Sequence, residues 1–195
     1  MLALDMGTRR EWLGRSAMYF ALVALPGWLR AATPACDDDE PTPRAGEGPF
    51  FAPRSPERSL LREPGTAGTP LRVEGRVTDR RCRPLARVLV DAWQCDANGD
   101  YDNAGFRLRG HQYTDADGRF AFDTVRPAPY GRGSFRRTPH VHLKLKGEGA
   151  PLLTTQLYFP DAAGNPNDGM FDERLLVTLS PDGALARYAF VLATP

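Results

Sequence analysis

An all-β sandwich preceded by an extended N-terminal arm is the fold that this 195-residue chain predicts. From Leu71 onward short apolar segments recur, turns rich in Gly, Pro and Asp separate them, and no long stretch repeats its apolar residues with a helical period. Short apolar runs bounded by turn residues read as strands, and a succession of them reads as two packed sheets.

Residues 1–35 read as a targeting segment. Thr8-Arg9-Arg10-Glu11-Trp12-Leu13 resembles a twin-arginine export signal, and the apolar run 17–29 behind it is broken by Pro26 and Gly27. That run is too short for a stable membrane span, and the small residues Thr33 and Ala35 suit cleavage before Cys36. An exported protein, periplasmic or extracellular, is expected. Cys36 after the cleavage region raises lipid anchoring as the lesser alternative, because Thr33-Pro34-Ala35-Cys36 lacks the usual apolar residue three before the cysteine.

Residues 36–70, opening on Asp37-Asp38-Asp39-Glu40 and rich in Pro and Gly, predict an arm laid on the domain with little regular structure. Residues 71–195 make one sandwich domain, with strands expected over 72–77, 88–93, 119–122, 140–145, 153–159 and 186–192. Segment 173–179 fits either a helical turn or a strand. Cys82 lies in a turn and Cys95 at the far end of the next strand, so extended chain would hold them about 30 Å apart and both thiols are expected to stay free.

The formal charge is +1, and 23 arginines stand against two lysines. No basic face is interleaved with exposed aromatics, so nucleic acid is not an expected partner. The chemistry lies elsewhere, in a chain with only three histidines of which two are His140 and His142. Side chains alternate across a strand, so His140-Val141-His142 puts both imidazoles on one face and Val141, Leu143 and Leu145 on the other. By itself His-x-His also fits one core histidine and one facing solvent. Context adds Tyr101, after the turn Asp96-Ala97-Asn98-Gly99-Asp100, and Tyr130, closing Pro127-Ala128-Pro129-Tyr130. A phenol with an ordinary pKa near 10 ionises at neutral pH only against a strong cation, and phenolate is a hard anionic donor. Two phenolates and two imidazoles suit a trivalent iron.

Beyond these four residues, the chain resembles the intradiol ring-cleavage dioxygenases, the catechol and protocatechuate dioxygenase family. The likeness runs through Glu47-Gly48-Pro49-Phe50-Phe51, Val90-Asp91-Ala92-Trp93-Gln94-Cys95-Asp96, Thr114-Asp115-Ala116-Asp117-Gly118, Pro127-Ala128-Pro129-Tyr130, Arg137-Thr138-Pro139-His140-Val141-His142 and Thr155-Gln156-Leu157-Tyr158-Phe159. It covers roughly residues 42 to 192. The resemblance implies a non-haem Fe(III) held by Tyr101, Tyr130, His140 and His142, with Arg137 and Gln156 facing the substrate. It further implies that the substrates are a small aromatic diol and O2, that Tyr130 takes up a substrate proton, and that the ring opens between its hydroxyl-bearing carbons. A guanidinium at Arg137 would stabilise charge developing on the ring. The helical dimerisation segment of catechol 1,2-dioxygenases has no counterpart here, so a homo-oligomer is expected to use sandwich surface or the arm.

Gly131-Arg132-Gly133 follows Tyr130 where protocatechuate enzymes usually carry Pro and then Trp. Arg132 fits either a pocket cation favouring an anionic ring substituent or a solvated loop residue. His111 has no role in the family pattern and reads as structural. Two other classes share features with the chain. A cupin also uses His-x-His, but wants a glutamate four or five residues beyond the second histidine, where Lys146 and Gly147 stand and Glu148 misses by one. A non-catalytic transthyretin-like module would share the opening hairpin of Val73 to Val88, yet leaves two tyrosines and two histidines unexplained.

Overall fold

The computed structural model describes residues 40–194. The twin-arginine-like segment, the cleavage region and Cys36 lie outside the described residues. Eight strands form two four-stranded sheets: β1 (Pro70–Asp79), β2 (Leu89–Trp93), β3 (Arg109–Tyr113), β4 (Arg119–Val125), β5 (His140–Lys146), β6 (Leu153–Tyr158), β7 (Thr178–Leu179) and β8 (Leu185–Leu192). One sheet runs β4-β1-β8-β7 and the other β3-β2-β5-β6. All pairings are antiparallel except that of β1 with β8.

Alternation drives the assembly. Leu71, Val73 and Val77 from β1, Phe120 and Phe122 from β4, and Phe190 from β8 turn inward to meet Val90, Val141, Leu143 and Leu145 from the other sheet, all 5% exposed or less. Each such side chain contributes about 1.5–3 kcal/mol on leaving water. At Gly75 the inner face has no room for a side chain, since a Cβ would stand 2.3 Å from the Phe120 ring and 3.0 Å from Phe190.

Residues 40–69 form no strand and are held by scattered bonds. The N–H of Thr42 donates to the Val191 carbonyl, that of Ala45 to Thr154, and that of Arg58 to His111, each at 2.9 Å. Leu61 plugs into the main core. Among the described residues no helix is long and apolar enough to cross a membrane.

The structure corrects or completes these expectations at four points. Strand β3 was not anticipated, because Arg109, His111 and Gln112 give it no apolar run; it exists because its backbone completes the ladder with β2. Val73 to Val88 forms a hairpin only at its tip, where the Asp79 N–H donates to the Arg83 carbonyl at 2.9 Å and the Leu85 N–H to the Val77 carbonyl at 3.0 Å about the Thr78 to Pro84 bridge, after which the chain crosses so that β1 and β2 lie in different sheets. Segment 173–179 is both things in succession, a 3-10 turn at Glu173–Leu175 and then β7. Cys82 is disulfide-bonded while Cys95 is free. The length of the strand between them excluded only their mutual pairing and left Cys82 open to another partner.

Truncating Leu143, fully buried where the sheets meet, to Ala should cost about 2–5 kcal/mol of unfolding free energy. Denaturant unfolding of Leu143→Ala against the unmodified chain measures it.

Candidate functional site

The unusual face of the β3-β2-β5-β6 sheet is the one turned away from the main core. There β5 places His140 and His142 side by side, both 1% exposed, and the ladder adds a neighbour to each. Trp93 of β2 and Gln156 of β6 stand opposite His142, and Tyr158 of β6 stands opposite His140. The Trp93 indole stacks on the His142 ring with centroids 4.8 Å apart and planes within 7°.

The two tyrosines arrive on loops cut to meet. Tyr101 follows a turn built by Asp96, whose carboxylate accepts the N–H groups of Asn98 at 2.8 Å and Asp100 at 3.0 Å and pairs with Arg107 at 2.7 Å. Gly99 in that turn has φ +89°, and a Cβ there would stand 2.9 Å from the Pro129 carbonyl oxygen and 3.2 Å from the Tyr130 Cβ. Only glycine lets the two tyrosine loops touch. Tyr130 ends the second loop and exchanges backbone bonds with Arg137 in both directions, at 3.2 and 2.8 Å. The phenol rings meet edge to face at 5.3 Å, Tyr130 lies 5.6 Å from His140, and Tyr101 lies 6.2 Å from His142.

The arm supplies a wall. Phe50 stacks on Tyr101 at 4.3 Å and Phe51 packs on Trp93 at 4.9 Å. Gly48, φ +72°, lets the arm backbone pass so close that a Cβ would touch His142 at 3.4 Å. Lys144 holds this stretch by pairing with Glu47 and sitting 3.4 Å over the Phe51 ring. The fully buried guanidinium of Arg109 donates to the carbonyls of Phe50 at 2.6 Å and Asp102 at 2.7 Å, tying the arm to the Tyr101 loop.

Protonation in this pocket follows from burial. His140 Nδ1 lies 2.7 Å from the Thr138 carbonyl, an acceptor only, so Nδ1 carries the proton and Nε2 offers a lone pair. That Nε2 faces His142 Nε2 at 3.0 Å. Burial pushes His140 down to about 4 and His142 well below its ordinary value, with neighbouring positive charge acting in the same direction. Burial also raises the phenol of Tyr101 far above its usual range and raises Tyr130, the latter opposed by the charge of Arg137. The Tyr101 hydroxyl and His142 Nδ1 are sealed from solvent with no hydrogen-bond partner among the described residues. Buried polar atoms rarely stay unpaired. Two facing imidazole nitrogens, a sealed phenol and a half-buried phenol fit a metal ion that takes N and O donors, and the phenols would supply the negative charge. The described residues bring together no group of three or more His, Cys, Asp and Glu, so any metal here relies on the tyrosines.

Arg137 and Gln156 meet beside the cluster, the guanidinium Nη2 donating to Gln156 Oε1 at 2.7 Å. Gln156 in turn donates through Nε2 to the Gly46 carbonyl at 2.6 Å. All six residues singled out in the sequence therefore converge. Arg132 is exposed on its loop, as a solvated residue would be. His111 lies apart, 3.2 Å from the Ser55 hydroxyl, and Glu148 is exposed beyond the end of β5. Sequence reasoning gave no role to Asp168, which pairs with Arg137 at 2.9 Å, to Tyr158, or to Trp93 as a stacking partner. Trp93 and Tyr158 were legible as strand residues at the register positions of the histidines, whereas Asp168 sits in the turn Asn165-Pro166-Asn167-Asp168 and reads as loop.

Comparison with known proteins agrees with this geometry. Residues 46–172 match the family model described as Dioxygenase. The chain is 27% identical over 174 residues to the catechol 1,2-dioxygenase of Candida albicans, covering 77% of this chain and 57% of that protein. It is 30% identical over 139 residues to a hydroxyquinol 1,2-dioxygenase of Rhodococcus opacus, covering 61% and 45%. The chain spans about half the length of the curated relatives it matches. Among solved structures, the dioxygenase domain of a dioxygenase and carbohydrate-binding fusion from Streptomyces sp. SirexAA-E superposes with a TM-score of 0.73 at 45% identity, covering 80% of this chain and all of that one. The 3-chlorocatechol 1,2-dioxygenase of Rhodococcus opacus 1CP gives 0.73 at 31% identity, covering 78% and 72%. Fold and family model thus make the chain a member of the dioxygenase class. Within that class it belongs to the intradiol ring-cleavage dioxygenase family.

A pH dependence follows for the metal-free chain. An unfolded histidine takes up a proton near pH 6.5, whereas folded His140 resists until about 4, so the unfolded state binds more protons between these values. Stability present above about pH 6.5 should fall as pH drops through that window. Thermal melts of metal-free protein across the window measure the slope, and His140→Gln should reduce it, leaving the part that His142 contributes.

Proposed function

We propose that the chain opens the aromatic ring of a catechol-type diol with O2, between the two hydroxyl-bearing carbons, to give a cis,cis-muconate-type dicarboxylate that carries both oxygen atoms. Tyr101, Tyr130, His140 and His142 would hold a ferric ion. The observation that carries this reading is the sealed meeting of two imidazole Nε2 atoms 3.0 Å apart with two phenols. The relatives are named for catechol, hydroxyquinol and chlorocatechol, which share a vicinal diol.

Ferric iron in this cluster would hold the phenols and the diol as their anions and draw electron density from the diol, which opens the ring carbon to O2. The protein's own groups do the rest. Tyr130, half-buried where the other three are sealed, is the phenol free to turn aside, and its oxygen takes the proton that the diol gives up. Arg137 presents a fixed positive charge to the ring as negative charge grows there, an effect of about a few kcal/mol in a water-poor site. Gln156 steadies that guanidinium and anchors the arm through Gly46. Phe50, Phe51 and Trp93 keep water from the cluster and stiffen Tyr101 and His142 by stacking. The twin-arginine-like segment supports an exported enzyme, since that route carries folded proteins and iron insertion would precede export.

Iron-reconstituted protein should consume one O2 per catechol and release a dicarboxylate, followed with an oxygen electrode and mass spectrometry of the product. Tyr101→Phe and His142→Ala should each weaken iron binding by more than about a hundredfold and remove turnover. Iron-loaded protein that leaves every vicinal diol intact would favour a non-catalytic sandwich module instead.

A further inference from the structure

We propose that Asp168 is a positioning residue for Arg137, with Tyr158 as a second hold on the same guanidinium; the proposal rests on the role given to Arg137 above. Asp168 is nearly sealed, its side chain 1% exposed against 10% for Arg137. Both carboxylate oxygens accept from Arg137 Nε at 2.9 Å. The same carboxylate accepts the backbone N–H of Thr138 and that of Met170, each at 3.0 Å. One side chain therefore ties together the approach to β5, two residues ahead of His140, the loop that follows β6, and the guanidinium. From the other side Arg137 Nη2 donates to Tyr158 at 3.0 Å as well as to Gln156 at 2.7 Å. The Tyr158 oxygen lies 2.8 Å from both Gln156 Oε1 and the Met170 carbonyl, either of which can take its single proton.

Two of the three guanidinium nitrogens are thus committed to the protein. Nη1 makes no close hydrogen bond to a described residue and is not one of the sealed unsatisfied atoms, and the guanidinium also acts on the Tyr130 phenol. Asp168 and Tyr158 decide which nitrogen is left for the substrate and fix its direction, and directed charge is what stabilises a developing anion without reorganisation.

A carboxylate beside Arg137 also subtracts charge, which makes the idea testable by sign. If Asp168 did no more than neutralise Arg137, Asp168→Asn would strengthen the field on the ring and raise kcat; a positioning residue predicts the opposite. In the full iron-loaded chain, Asp168→Asn should lower kcat on the order of tenfold and Tyr158→Phe about threefold, with KM for catechol changed less than about twofold. The visible spectrum and iron content should stay near those of the unmodified protein, while Asp168→Asn should lower the melting temperature through its lost ion pair. In an Arg137→Lys background Asp168→Asn should add little further loss, because the two residues act as one unit. An unchanged or higher kcat, or a full loss on top of Arg137→Lys, overturns the proposal. Should Asp168→Asn fail to fold, Tyr158→Phe decides alone: unchanged kcat overturns the proposal, and a threefold loss with an unaltered spectrum supports it. Unmodified protein that binds iron and turns over no diol would remove the functional reading itself, and this proposal with it.

Discussion

Four polar rings are packed where water barely reaches, and each pays for that in the same way: its charged form is disfavoured. Imidazolium is suppressed at His140 and His142, and phenolate is suppressed at Tyr101 and Tyr130. Without a cation the cluster leaves the Tyr101 hydroxyl unpaired, which costs about 1–3 kcal/mol in lost hydrogen bonding. Neutral imidazoles are ready to donate lone pairs, while phenols become donors only against a strong positive charge. Burial therefore does two jobs at once, holding the nitrogens free of protons and making the oxygens selective for a highly charged ion.

Every nearby element serves to keep the rings in that strained company. The ladder fixes His140 and His142 against Tyr158, Gln156 and Trp93 by register, so one strand slip would dismantle the site. Gly99 and Gly48 let backbones approach where any side chain would push them apart. Arg109 joins the arm to the Tyr101 loop, and Lys144 with Glu47 pins the arm to β5. The arm is thus a wall of the site as well as a cover for the sheet. Cys95, free and buried among these rings, is kept inert because burial pushes its thiol up to about 12.

Much of this was legible beforehand, for definite physical reasons. A two-residue period placed His140 and His142 on one face, and a 3.0 Å meeting of their Nε2 atoms follows from that period. Turn residues located the two tyrosine loops, while the motif resemblance supplied the roles of Arg137 and Gln156. What escaped detection is long-range. Asp168 reaches Arg137 across 31 residues from a turn whose Asn and Pro composition looks like any loop. Strand β3 carries polar residues because its outer face is covered by the arm, where Ser55 meets Asp91 and His111. The crossing from β1 to β2 is a property of sheet assembly that no local pattern encodes.

In the proposed function both tyrosines bind iron in the loaded protein. Resonance Raman spectroscopy, excited in the visible band of iron-reconstituted protein, tests it most directly. Tyrosinate ring modes from two distinct phenolates should appear, and in variants loaded with enough excess iron to offset their weaker binding one set should be lost in Tyr101→Phe and the other in Tyr130→Phe. A loaded protein showing no tyrosinate enhancement, or the same enhancement in both variants, would contradict it.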